Sequence, residues 1–225
     1  MRVKFLLVCE GSSDRGLVPH LEALCVRAGA SEAMGDAPDL GRLHNSPGRA
    51  VESKAQAVLQ YAGDVNLLFI HEDADSRDPD EVRQRILERI SAIEQCPPHV
   101  CVVPVQELES WLLADEAAIR AVVGSPRGTS SLDLPASRRI ESTPRAKERL
   151  ELALVKASGE TGQRLQRLKA RFPEMRAMLL QRLDIDGPVK DLPAWRRLVA
   201  DVNTAVRELL RTAGARKRSS GSPRS

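Results

Sequence analysis

The chain has 225 residues, 42% hydrophobic and 29% charged, a globular profile that excludes collagen-like and wholly disordered classes. No apolar run approaches the ~20 residues needed to span a bilayer, so no membrane association is expected. The net charge of +3 is unevenly spread: residues 211–225 hold Arg211, Arg216, Lys217, Arg218 and Arg224 and no acid, so the remainder is net negative. By composition the tail, not the body, suits a polyanion.

The opening MRVKFLLVCEGSSD has an apolar stretch too short for a signal-peptide core, and it meets an acid at Glu10. It reads as a strand over residues 3–9 in a cytoplasmic protein. A helix is expected from Asp14, with Leu17, Leu21, Leu24, Cys25 and Ala28 at helical spacing, Ser12 or Ser13 as N-cap and Gly29 past its end. Residues 30–47 are rich in Gly, Pro, Asp and Asn, with room for a short edge strand. Val51, Ala55, Val58 and Ala62 mark a second helix, and 65–71 a second clear strand.

Asp78-Pro79-Asp80-Glu81 is a strong helix start, followed by the stripe Val82, Ile86, Ile90 and Ile93. Val100–Val105 reads as a strand and 108–123 as a helix. The alternation of strand and helix predicts an α/β domain with a mainly parallel sheet over 1–123. Residues 124–144 read as a loop. Helices are expected at 145–158, 162–183 and 191–213, with breaks near Gly159, Pro173 and Gly187-Pro188, forming an appendage, with a disordered basic tail at 214–225. The cysteines Cys9, Cys25, Cys96 and Cys101 have no metal-ligand spacing and read as small buried hydrophobes. His71 ends an apolar strand and reads as structural.

The acids follow the strands. Glu10 comes after the first, Asp73 and Asp75 after the second clear one, and Glu107 and Glu109 after the next. In a parallel sheet the carboxyl ends share one edge, where ligands bind. Converging carboxylates repel unless a cation joins them, and oxygen-only donors suit Mg²⁺ or Mn²⁺. Alternation along an extended chain would turn Asp73 and Asp75 to the same side and Glu72 away. Asp14, four residues after Glu10, is expected near the same pocket. Gly11 allows close backbone approach, and the helix start at Ser12–Ser13 offers amides to a phosphate.

The strings LLVCEGSSD and LLFIHEDADS resemble the Toprim domain of topoisomerases, primases and OLD (overcoming lysogenization defect) nucleases. The Glu-x3-Asp spacing of Glu10 and Asp14 is closer to the OLD type. PVQELESWLLAD, TPRAKERL and LPAWRRLV are similar to strings of a bacterial family of unknown function in the same group. The resemblance implies a four-stranded parallel, Rossmann-like core and one or two Mg²⁺ ions. It implies Glu10, Asp73 and Asp75 as catalytic acids, with Asp14 and Glu109 as further metal ligands. A second strand is not obvious in 30–47. Lys147 is the candidate for the assisting lysine and phosphate contact, with Arg145 as substitute. No G-x4-GK[ST] motif is present, so any ATPase would be a separate subunit.

The leading expectation is metal-dependent nicking or cleavage of nucleic acid, DNA ahead of RNA, in bacterial antiphage defence. Arg127, Arg138, Arg139 and Arg145 would grip phosphates. The alternative is a non-catalytic Toprim-fold subunit docking an ATPase through Trp195, Leu198, Val199, Val202, Val206 and Leu209. Phosphotransfer to a small substrate is a third option, and a homo-oligomer is compatible with each.

Overall fold

The computed structural model describes residues 1–42, 47–48, 50–61 and 64–219. Four strands, β1 (Arg2–Val8), β2 (Glu32–Asp36), β3 (Leu67–His71) and β4 (His99–Val102), form one sheet in the order β2-β1-β3-β4. Every pairing is parallel, with Phe5 opposite Gly35 and Leu67, and Ile70 opposite Cys101. The sheet is flanked by helices, as the alternating pattern predicts, and the chain's last element is a helix. β3 is buried at every position, the continuous apolar run expected of a central parallel strand. Phe5 and Phe69 meet edge to face, with ring centroids 4.9 Å apart. β2 is the strand the sequence left obscure; its residues are exposed or only half-buried.

The helices are α1 (Val18–Arg27), α2 (Val51–Tyr61), α3 (Pro79–Ser91), α4 (Glu109–Leu112), α5 (Glu116–Val122), α6 (Ala146–Ser158), α7 (Gly162–Ala170), α8 (Phe172–Gln181) and α9 (Pro193–Ser219). Among the described residues, no helix is long and apolar enough to cross a membrane. Ala62, expected to close the second helix, lies outside the described residues.

Two boundaries differ from expectation. The single helix expected over 108–123 is two, because the Asp115 side chain accepts the Ala118 N–H and starts α5 afresh. The break expected near Pro173 is present: the 162–183 stretch divides at Arg171. At the other end, α9 continues to Ser219, so the stretch expected as a disordered tail from 214 begins as helix.

The chain folds as two compact units, and neither matches a break at residue 123. The first comprises Met1–His71, Gln84–Val102 and Leu198–Ser225 and contains the whole sheet. Within it Leu210 reaches Gly29, the positive-φ residue after α1. The second comprises Glu72–Arg83 and Val103–Arg197. Its core includes Trp111 and Trp195, both fully buried and set edge to face at 4.9 Å.

In the first unit the strand order defines a crevice. From β1 the chain crosses to β2 on one side and then to β3 on the other. The connections therefore diverge between the carboxyl ends of β1 and β3, the place where open α/β sheets hold ligands.

Candidate functional site

Beyond β1 the chain runs through Cys9, Glu10 and Gly11 into a 3-10 turn at Ser12–Leu17. The expected serine cap is replaced by a reciprocal pair. Asp14 N–H donates to the Gly11 carbonyl at 3.2 Å, and Gly11 N–H donates to Asp14 Oδ2 at 3.1 Å. Ser13 Oγ donates to Asp14 Oδ1 at 3.2 Å. Of the amides expected at Gly11, Ser12 and Ser13 to meet a phosphate, that of Gly11 is given to Asp14.

Asp14 itself is 5% exposed, and its Oδ2 stands 3.4 Å from Nδ1 of His71, the fully buried last residue of β3. Thus the loop after β1 and the end of β3 are joined by a carboxylate–imidazole pair across the crevice. The sequence offered Asp14 as a metal ligand and His71 as a structural residue; the fold sets them against each other.

Lys54 of α2 was missed by the sequence reading. Its Nζ donates to the carbonyls of Cys9 (3.2 Å) and Glu10 (2.9 Å), fixing the backbone where β1 ends. The Glu10 side chain is exposed beside a cleft of about 270 Å³ that Arg15, Asp39 and Lys54 also line. Burial, with the Asp14 carboxylate adding to it, pushes the Cys9 thiol up to about 12, so it stays protonated and inert at neutral pH.

In the second unit, the turn after β3 is organised by Arg77, also missed. Its guanidinium donates to the Asp73 carbonyl (2.9 Å), the Ala74 carbonyl (3.1 Å), Asp75 Oδ2 (3.0 Å) and Glu72 Oε1 (3.3 Å). Asp73 Oδ1 accepts the Leu108 N–H at 2.9 Å. The expected extended Asp-x-Asp geometry is not found: Asp75 has φ 52°, and its exposed carboxylate turns to Arg77.

Glu107 and Glu109 part company. Glu107 Oε2 accepts the Lys147 N–H at 2.8 Å at the start of α6. Glu109 is buried, and its Oε1 receives Arg176 Nε at 2.6 Å. The Glu109 carboxylate, expected as a metal ligand, is thus paired with a guanidinium in a buried setting, as the exposed Asp75 carboxylate is paired with Arg77. Lys147 and Arg145 are exposed, and Arg145 pairs with Glu148 at 3.2 Å.

The remaining donors, Glu10, Asp73 and Asp75, are hard carboxylate oxygens, which fits Mg²⁺ or Mn²⁺ and no softer metal. Among the described residues no three His, Cys, Asp or Glu side chains gather as a ready cage. Mg²⁺ does not require one, since it is commonly held by one or two carboxylates with waters and substrate phosphates.

The comparisons return no relative: no protein-family model, curated protein or solved structure matches this chain.

Proposed function

We propose that this chain is a Mg²⁺- or Mn²⁺-dependent phosphodiesterase that nicks or cleaves nucleic acid, DNA in preference to RNA, as its Toprim resemblance implies. One observation carries the reading. β1 and β3 are parallel neighbours flanking the crevice where the sheet's connections diverge. The chain leaves each strand into an acid within two residues: Glu10 after Val8, Asp73 after His71.

The resemblance names Glu10, Asp73 and Asp75 as the acids that would hold the ion. Bound there, a divalent cation would acidify a water and offset charge on the phosphate. The chain's own groups do the rest. Lys54 fixes the Glu10 backbone, and the Glu10 carboxylate would act as general base toward water where it does not hold the ion. Arg77 holds the Asp73–Asp75 turn and balances Asp75. Asp14 keeps the Gly11 turn closed through the amide it accepts.

Incubating supercoiled plasmid and single-stranded RNA with the protein and Mg²⁺ or Mn²⁺ tests the reading. Wild type should relax the plasmid, and Asp73→Asn should not, at unchanged far-UV circular dichroism. Equal nicking by Asp73→Asn would sink the assignment.

The adaptor alternative is placed second: of the stripe offered for an ATPase, Trp195, Leu198, Val202 and Val206 are buried within the chain, and Val199 and Leu209 are half-buried.

A further inference from the structure

We propose that a cleft of about 560 Å³ in the second unit, walled by Arg138, Arg139 and Arg149, binds consecutive phosphates of a nucleic-acid backbone. It rests on the reading that the substrate is nucleic acid, but its residues are separate from the acids of that site.

Arg138 and Arg139 stand on a 3-10 turn (Ser137–Ser142), and Arg149 stands on α6. The turn is held from within. Arg139 N–H donates to the Ala136 carbonyl at 2.7 Å. Thr143 Oγ1 and Ser142 Oγ donate to the Arg139 carbonyl at 2.7 and 3.0 Å. Its two guanidiniums are therefore carried on a fixed base.

Asp133 is the acid on the cleft wall, and it is already engaged. Its Oδ2 receives Lys156 Nζ, and its Oδ1 receives Ser131 Oγ at 2.6 Å. The bond from Lys156 holds the Asp133 carboxyl below its usual range, so its charge is matched by a neighbour's. Among the described residues none of the three arginines has a carboxylate within ion-pair distance. The three arginines thus share the cleft with one acid, Asp133, which acts on Arg149 but is bonded to Lys156, leaving an excess of positive charge there, and guanidinium forks suit phosphate oxygens.

The remaining lining is Leu134, Pro135, Ala136 and Thr143, with no aromatic ring. That favours contact with the sugar-phosphate chain over base stacking. The cleft is much larger than one phosphate, which favours a strand over a phosphomonoester.

The test is fluorescence anisotropy of a labelled DNA duplex with the full chain, in EDTA to prevent cutting, across a salt series. Arg138→Ala/Arg139→Ala/Arg149→Ala should flatten the dependence of log K on log salt by about 0.9 for each phosphate no longer neutralised, up to ~2.7. The matching triple lysine variant should keep the wild-type slope, since the charges remain. Circular dichroism and melting confirm that both variants are folded; all three positions are exposed.

Absence of duplex binding by wild type, or a wild-type slope in the triple alanine variant, overturns the proposal. Displacement of the duplex by pyrophosphate as readily as by unlabelled duplex, at equal phosphate, also overturns it. If the alanine variant binds like wild type while Asp73→Asn alone stops cutting, only the cleft proposal falls. If the slope flattens but wild type never cuts with either metal, the cleavage reading falls and the cleft stands.

Discussion

Replacing Arg176 with Met asks what the buried pair with Glu109 is for. The two side chains are 10% and 6% exposed and meet at 2.6 Å, so both charges are almost fully desolvated. Methionine keeps an unbranched apolar stem about as long as arginine's methylene chain and removes the guanidinium. The Glu109 carboxylate would then be left charged in a dry site on α4. Breaking such a pair from one side costs about 3–5 kcal/mol. In a chain of this size that is a fall in Tm of roughly 6–20 °C. Urea denaturation with both Glu109→Leu/Arg176→Met and the single variants completes a double-mutant cycle. The double variant should recover most of the loss, because two apolar side chains leave no unpaired charge. A cost below about 1 kcal/mol for Arg176→Met would refute the view that these groups depend on each other for burial. The same variants bear on the chemistry: folded Glu109→Leu/Arg176→Met should cut with wild-type Mg²⁺ dependence if Glu109 is no metal ligand.

Two further outcomes follow from local geometry. A Cβ on Gly35 of β2 would stand 2.1 Å from the ring of Phe5, which is buried and wedged against Phe69, so Gly35→Ala should cost about 1–3 kcal/mol in urea denaturation. Glu141 accepts the Ala194 N–H at 2.8 Å, yet burial outweighs that bond and raises its carboxyl above the ordinary value. Its ionisation is disfavoured in the folded state, so stability falls as pH rises from the ordinary glutamate value through the raised one. Glu141→Gln should remove that fall and melt higher than wild type at pH 7, with Tm measured from about pH 4 to 7.

β1, β3 and β4 are legible as sequence because each carries a buried apolar run: β1 and β3 are central and need hydrophobes on both faces, and β4, though at an edge, is buried from Val100 to Val102. β2 hides because Glu32–Asp36 is an edge strand whose Gly35 has no side chain; the ring of Phe5 covers it from the neighbouring strand. That help belongs to another part of the chain and leaves no local pattern. The positions of the acids after β1, β3 and β4 could be read, since they depend on order along the chain. Their hydrogen bonds could not. Arg176 lies 67 residues from Glu109, and Lys54 lies 44 from Glu10. One exception was within reach: Arg77 is two residues from Asp75 and could have been suspected as its partner. The α9 stripe shows the limit of periodicity, which marks an apolar face without saying what covers it.

The first unit draws on stretches far apart in sequence: its sheet lies within residues 2–102, while Leu198 onward also belongs to it. During translation the strands emerge well before this late segment. At ~5–20 residues per second, the ribosome needs on the order of ten seconds to make the intervening stretch. Throughout that interval Gly29 lacks Leu210, its eventual neighbour. The nascent sheet is therefore an incomplete body, dependent on chaperone shelter or on its own partial packing, until the segment from Leu198 has emerged.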